Sequence, residues 1–173
     1  GGRGHRFNTF CLALSTVYLV WSIGAKLYVN DTVQHALARQ NIAYQNVLTV
    51  PTPFNTVLWR VLVMDERGYY EGFYSLLDKD RNIRFNHYSS DKHLLAGPAG
   101  HWPVQRLQWF THGFYSVQKR DRAIVFTDLR MGLEPTYFFQ FKVAEMGNPH
   151  SVPTKSERIR VERGAERLHW IWK

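Results

Sequence analysis

The strongest constraint on the fold of this chain is an uncharged stretch near its start. Residues 7–25 read FNTFCLALSTVYLVWSIGA, nineteen positions without Asp, Glu, Lys or Arg. At about 1.5 Å per residue, a helix of this length covers roughly 28 Å, close to the hydrocarbon thickness of a bilayer. Arg3 and Arg6 precede the stretch and Lys26 follows it. The sequence therefore predicts a membrane-spanning helix with a basic flank over residues 1–29.

Two alternatives stay open for this stretch. A secretory signal peptide has a similar apolar core, although no small-x-small cleavage site with a polar mature start follows Ala25. A buried helix of a soluble protein is the other alternative, because polar side chains lower the hydropathy of the run. In a membrane, the hydroxyls among them would face neighbouring helices. The polar residues are Asn8, Thr9, Ser15, Thr16 and Ser22.

Residues that flank the stretch predict its depth and direction. We expect Tyr28 to lie at a membrane interface with Lys26 snorkelling outward, and the amphipathic rings of Trp170 and Trp172 suit the same layer. The basic N-terminal flank favours the cytoplasmic side for residue 1, and so the outside for the main domain. The lipid bilayer is the first partner that the sequence predicts.

Overall charge and cysteine content narrow the class of protein. The chain carries 22 Lys and Arg against 14 Asp and Glu, a net charge of +8 that suits an anionic partner. Its single cysteine, Cys11, excludes an internal disulfide and a cysteine-based zinc site. Nucleic acid is not an expected partner, because the aromatic run at residues 137–142 lacks the glycine and the basic start of an RRM signature.

The remaining residues, 30–173, predict one extramembrane domain of the α+β class. A helix starts at Asn30, Asp31 and Thr32, either as a continuation of the membrane helix or after a break from it, and ends near residues 40–44. Pro51 and Pro53 then hold the chain extended on its way into a sheet. The expected order is an antiparallel sheet with a helix packed on one face. The periodicity predicts strands at 57–64, 69–77, 82–88, 123–130, 136–145 and 157–163 and a helix at 103–118.

A charged residue interrupts the apolar strand VLWRVLVM at residues 57–64. Arg60 needs a carboxylate, carbonyls or an anionic ligand, because an unpaired buried charge costs several kcal/mol. Asp78, after the partner strand, and Asp128, in the second hairpin, are the predicted partners, and Arg130 lies two residues along from Asp128. Both an internal ion pair that fixes sheet register and an anion-binding site stay open for this cluster.

Motifs for common enzyme chemistry are absent from the sequence. It contains no GxSxG, GxGxxG, GxxxxGK[ST] or HExxH string. Four histidines, His87, His93, His101 and His112, lie close in sequence, but their spacing provides no i,i+4 helical pair and no i,i+2 strand pair. We therefore predict no metal site within this chain, and the histidines are expected on the surface or in hydrogen bonds.

Three strings carry a family resemblance. VPTPFNTVLWRVLVMDERGYYEGFYSLLD at residues 50–78, FTDLRMG at 126–132 and YFFQFKVAE at 137–145 resemble the C-terminal region of the bacterial inner-membrane metal-dependent hydrolases, the YdjM-like family. The PTPFN-x-x-LWR string is the most specific part, and SLLD and DLR support it. The resemblance covers roughly residues 5–170, including a last membrane helix that runs into an extramembrane domain.

The resemblance implies an accessory role for this chain. In the family, the metal-binding His and Asp residues lie in earlier membrane helices, in an HR-x-x-THS-like string. Neither Gly4-His5-Arg6 nor Thr111-His112-Gly113 reproduces that string, so no ligand carries over to this chain. A divalent metal is expected in the full-length protein and not here, with the upstream membrane helices as further partners.

The functional expectation therefore has two forms. The first is the C-terminal domain of a bacterial inner-membrane protein of the hydrolase family, inactive by itself and accessory to an upstream metal site. The alternative is a non-catalytic domain at the membrane surface that binds a lipid headgroup, a peptide or a protein partner.

Overall fold

The structure, a computed structural model, describes residues 2–53, 55–147 and 151–159. The predicted α+β class is confirmed, since a long apolar N-terminal helix is followed by two antiparallel four-stranded sheets and one further helix. The chain divides into an N-terminal unit, Gly1–Tyr88, and a C-terminal unit, Ser89–Lys173. Residues 30–173 were expected to form one domain with one sheet, whereas residues 30–88 belong with the N-terminal helix.

The N-terminal helix, α1 (Gly2–Arg39), runs without interruption for 38 residues. The expected helix start at residues 30–32 is therefore a continuation of the apolar helix. Asn41 ends it by adopting a left-handed conformation with φ of 52°. The Asn41 and Ile42 N–H groups donate to the carbonyls of Ala38 and Leu37, at 3.2 and 3.1 Å. This arrangement is a Schellman motif, which satisfies carbonyls that the helix end would otherwise leave open.

The first sheet follows α1 in the N-terminal unit. Its strands are β1 (Asn46–Pro51), β2 (Leu58–Met64), β3 (Gly68–Ser75) and β4 (Phe85–Ser89), in that spatial order. The predicted β2–β3 hairpin is confirmed, with Met64 opposite Tyr69 across the four-residue turn. The strand predicted at residues 82–88 is β4. The sequence did not predict β1, because Pro51, at its end, and Pro53 indicate only an extended connection.

The C-terminal unit contains the second sheet and a short helix. Two 3₁₀ turns, Lys92–Leu95 and Gly97–Gly100, precede α2 (Trp102–Thr111). The predicted hairpin of strands at 123–130 and 136–145 is confirmed, and the strand predicted at 157–163 begins earlier, with residues 160–163 outside the described part. The strands are β5 (Tyr115–Arg120), β6 (Ala123–Leu133), β7 (Thr136–Glu145) and β8 (Val152–Ile159), in the order β5-β6-β7-β8.

The prediction that α2 extends to residue 118 is wrong. The helix ends at Thr111, where His112 and Gly113 both take positive φ, at 50° and 85°. These two residues turn the chain back into β5. Phe110 was predicted on the buried face and is 55% exposed. Apolar residues at helical spacing continued past residue 111 only because alternate positions of β5 are also apolar.

Each unit has its own hydrophobic core. In the N-terminal unit, the second half of α1 packs Val29, Val33 and Leu37 against the face of the first sheet that carries Trp59 and Val61. In the C-terminal unit, the inner side of α2 contributes to a core with the second sheet. That core contains Leu95, Val104, Val117, Ile124, Phe126, Val143 and Ala144.

Candidate functional site

The candidate site lies on α1, at the boundary between its exposed apolar segment and the residues that pack against the first sheet. Every residue from 4 to 21 is exposed, including Phe7 at 70% and Trp21 at 54%. The helix is long and apolar enough to span a membrane, and only 6% of its most apolar window is buried. Within the described residues, positions 4–21 therefore do not belong to a core, as the second alternative from the sequence would require. An exposed apolar surface of this size marks contact with lipid or protein.

Four Ser and Thr hydroxyls at residues 9–22 donate to backbone carbonyls of α1 itself. Thr9, Thr16 and Ser22 donate to carbonyls four residues earlier, at 3.0, 2.8 and 2.9 Å. Ser15 donates to a carbonyl three residues earlier at 2.9 Å. These bonds remove the cost of placing the hydroxyls in hydrocarbon without a partner helix.

Lys26 joins α1 to the first sheet. Its Nζ donates to the carbonyl oxygen of Thr49 in β1, and to Thr49 Oγ1 at 2.6 Å. The Thr49 hydroxyl in turn donates to Asn30 Oδ1 at 2.6 Å. The ammonium also lies 5.7 Å from the centroid of the Trp59 ring. The expected outward snorkelling of Lys26 is thus corrected, because the sheet holds its charged end.

The PTPFN string forms a loop that Asn55 holds closed. Asn55 Oδ1 accepts hydrogen bonds from the N–H groups of Val57 and Leu58, at 3.0 and 2.8 Å. Its Nδ2 donates to Thr52 Oγ1 at 2.7 Å. Thr52 N–H also donates to the Leu58 carbonyl at 2.9 Å, where β2 begins. The loop at residues 52–57 is therefore shaped by side chains of the same string that carries the resemblance.

Two tryptophan side chains donate hydrogen bonds to Thr56 in this loop. Trp21 Nε1, on α1, donates to Thr56 Oγ1 at 3.2 Å. Trp59 Nε1, on β2, donates to the Thr56 carbonyl at 2.9 Å. Because Trp21 lies inside the apolar run, the loop is adjacent to the end of the candidate membrane span. We call Trp21, Lys26, Thr49, Thr56 and Trp59 the joint.

Tyr28 lies about two turns beyond Trp21 on α1. It is 40% exposed, and its hydroxyl accepts from the Tyr74 hydroxyl at 3.5 Å. The Arg81 guanidinium lies 4.9 Å from the Tyr28 ring centroid and 3.5 Å from Asp31. Burial, together with the contact to Tyr28, raises the pKa of Tyr74 to about 12. Placing Tyr28 at a membrane interface stays a prediction.

Arg60 makes a buried ion pair, as the sequence predicted, but with another partner. Its Nε and Nη2 both lie 2.6 Å from Glu71 Oε1, and Arg60 is 3% exposed. Glu71 lies on β3, opposite Leu62, so the two side chains are diagonal neighbours on one face of the sheet. The predicted partners were Asp78 and Asp128, whereas the structure pairs Arg60 with Glu71. The Arg60 guanidinium therefore binds a carboxylate of the protein itself, whereas the other alternative from the sequence was an anionic ligand.

The other residues of the predicted cluster make local contacts within their own units. Asp78 Oδ2 accepts from the Ser75 N–H at 3.0 Å, which closes the turn after β3. Asp128 and Arg130 belong to the C-terminal unit, where Arg130 Nε and Nη2 donate to the two Asp128 oxygens at 3.0 and 2.7 Å. The hydrogen bonds to Asp128 raise the pKa of Arg130. Asp128 and Arg130 thus pair with each other, and Asp78 closes a turn.

The histidines that suggested a metal site serve local roles. His87 Nε2 lies 3.3 Å from Asp65, and its ring lies 4.6 Å from that of Tyr70. His101 precedes α2, and His112 ends it. Within the described ranges, no group of three or more His, Cys, Asp or Glu side chains is placed to hold a metal ion. His93 borders a small open cavity of about 170 Å³, below the usual ligand range of about 300–1,000 Å³.

The comparisons with known proteins give no match, since no protein-family model, no curated protein and no solved structure corresponds to the chain.

Trp170 and Trp172 lie outside the described residues. Sequence reasoning identified Lys26 and Tyr28 but missed Thr49, Thr56 and Glu71. For Glu71 a signal existed, because the length of the β2–β3 turn fixes which residues share a face with Arg60.

Proposed function

We propose that this chain is a membrane-anchored accessory module, whose α1 spans the bacterial inner membrane and holds the first sheet at the bilayer surface. The parent protein is proposed to belong to the metal-dependent hydrolase family, YdjM-like, with its metal site upstream. The main part of the module is proposed to lie outside, because Arg3 and Arg6 favour the cytoplasm for the N-terminal flank.

One observation carries this proposal. A single helix is exposed and apolar over residues 4–21 and packed on a sheet from Ala25 to Leu37. No loop separates the two parts, and Lys26 and Trp21 fasten the boundary to Thr49 and Thr56. A signal peptide has no need of such a joint, since it is removed from the mature protein. The arrangement suits a permanent anchor that fixes the height of the sheet above the lipid.

Carbonate extraction of membranes tests the anchor. The chain is expected in the pellet, and the double variant Leu14→Arg, Val17→Arg in the supernatant, because each central arginine costs about 2.5–3.5 kcal/mol on insertion. Ala38→Arg is the control for an arginine added to α1 outside the apolar run, since Ala38 is exposed. Release of the unmodified chain into the supernatant would refute the anchor.

A photo-crosslinking residue at Leu12, on the exposed apolar face, tests the family assignment. In native membranes it is expected to crosslink to an upstream helix of the same polypeptide, identified by mass spectrometry and carrying an HR-x-x-THS-like string. Crosslinks to lipid alone, or to an unrelated protein, would contradict the proposed parent.

A second probe tests on which side of the membrane the module lies. The variant Lys119→Cys, in a Cys11→Ser background, is treated with an impermeant maleimide in spheroplasts. Labelling is expected, and protection would place the module inside.

A further inference from the structure

The outer face of α2 carries aromatic side chains that the fold does not use. Trp102 and Trp109 are 65% and 68% exposed, and Phe110 is 55% exposed. Trp102, Arg106 and Trp109 are spaced i, i+4 and i+7, so they follow one another along one side of the helix. Val104 and Thr111 lie on the opposite side and are fully buried. The helix thus has an inner apolar side for its core and a separate aromatic outer face.

Two arginines border these rings. The Arg106 guanidinium lies 5.3 Å from the Trp102 ring centroid, and that of Arg130 lies 4.6 Å from the Phe110 ring centroid. Asp128 holds Arg130 in place through its two oxygens. Helix α2 itself contains no acidic residue. The surface therefore combines amphipathic rings with guanidinium groups.

We propose that this outer face, made of Trp102, Arg106, Trp109 and Phe110 with Arg130 beside it, docks on the headgroup layer of an anionic bilayer. Tryptophan concentrates at the membrane–water boundary, where its ring is apolar on one side and its N–H is hydrated. Arginine at the same level binds phosphate oxygens. The surface is the second lipid contact of the chain, in addition to the span.

The bilayer is the favoured occupant because the same chain carries the candidate span. An anchored chain keeps its C-terminal unit close to lipid at all times, which raises the effective concentration of the surface for that unit far above that of a soluble partner. The face also matches the bilayer in charge, since cytoplasmic and outer leaflets of bacterial inner membranes contain anionic lipids that attract arginine. This inference rests on the proposed anchor.

Fluorescence quenching in reconstituted vesicles tests the docking. The full chain is placed in vesicles of phosphatidylethanolamine and phosphatidylglycerol, with an environment-sensitive fluorophore on Gln105→Cys in a Cys11→Ser background. Gln105 is exposed and on the same outer face, so labelling leaves both tryptophans in place. Lipids with a nitroxide at the headgroup are expected to quench this label about twofold more than one on Lys119→Cys, an exposed position of β5.

Two further samples separate the possible outcomes. A label on native Cys11, inside the apolar run, reports the anchor through quenching by nitroxides deep in the acyl chains. The variant Trp102→Ser, Trp109→Ser, with unchanged circular dichroism, is expected to lower quenching at residue 105 to the level at residue 119. Quenching at Cys11 without an excess at residue 105 would overturn the docking and keep the anchor, and would leave the face to a protein partner. Absence of quenching at both positions would overturn both proposals.

Discussion

Arg60 Nη2 lies 2.6 Å from Glu71 Oε1, and the two side chains are 4% and 6% exposed. The pair lies on the face of the first sheet opposite the one that packs on α1, because Trp59 and Val61 belong to the α1 core and residues alternate along β2. A buried pair of this kind is costly to break and cheap to replace as a whole.

Arg60→Leu is accordingly expected to lower the free energy of unfolding by about 3 kcal/mol, since it leaves the Glu71 carboxylate buried without its guanidinium. The double variant Arg60→Leu, Glu71→Leu is expected to cost less than half as much. Urea unfolding of the detergent-solubilised protein measures both. Arg81→Leu is the control, because the side chains of Arg81 and Asp31 are 49% and 54% exposed, and loss of such a pair costs at most about 1 kcal/mol. Equal losses for Arg60→Leu and Arg81→Leu would contradict the account.

Asn55→Ala is expected to destabilise the loop at residues 52–57. It removes an oxygen that accepts two backbone N–H groups and an amide that donates to Thr52, at an expected cost of about 1 kcal/mol. Asn55→Asp keeps both acceptor bonds and loses only the donor, so its cost should be smaller. Hydrogen exchange of the Val57 and Leu58 amides measures the effect locally. The idea fails if the two variants exchange these amides at the same rate as the unmodified chain.

Tyr74 provides a test at alkaline pH. Its pKa is raised in the folded protein to about 12, so folding favours the protonated phenol. The resulting stabilisation is fully present below the ordinary tyrosine pKa near 10 and is lost as the pH rises toward 12. Tyr74→Phe should therefore flatten the decline of stability over this window, by at most about 1.4 kcal/mol per pH unit. Tyr44→Phe, which removes an exposed hydroxyl, controls for the substitution, and an unchanged slope in Tyr74→Phe would rule out the linkage.

The chain by itself is expected to show no metal-dependent hydrolysis. Such chemistry needs about three side-chain ligands that converge on one ion with an open position for water, and the described residues place no such group together. After a brief chelator wash, purified protein should hold no stoichiometric zinc or manganese. It should also leave phosphodiester and ester substrates uncleaved when either metal is added back. Turnover that disappears in His87→Ala or His112→Ala would locate a metal site in this chain after all.

The hairpins and the apolar helix could be predicted because their signals are local. Alternation in β2 and β3, and the turn between them, act over a few residues, and the structure confirms them. The course of the chain after Thr111 was not predictable from apolar spacing, because Phe114 and Val117 continue the helical spacing although Val117 lies in β5. The left-handed conformation of His112 decides between the two, and sequence alone gives little sign of it.

Ion-pair partners required the register as well as the pattern. Arg60 was predicted to be buried against a carboxylate, Asp78 or Asp128, and the carboxylate that it contacts is that of Glu71. In an antiparallel hairpin with Met64 opposite Tyr69, residues whose numbers sum to 133 lie opposite each other. Glu71 is then two positions from the residue opposite Arg60, on the same face. The contacts of the joint were harder to predict from the sequence, because those of Thr49 and Thr56 with α1 depend on how the helix lies across the sheet.

Because α1 is uninterrupted, a change in the tilt of its apolar part also moves the part that packs on the first sheet. From Trp21 to Arg39 the helix is about 27 Å long at 1.5 Å per residue, and the first sheet is fixed along most of it. For the proposed span, a thinner bilayer would increase its tilt, and a change in tilt of about 20° would swing the far end of this arm by about 9 Å. In the proposed anchor, a change in bilayer thickness would therefore move the first sheet sideways along the membrane surface.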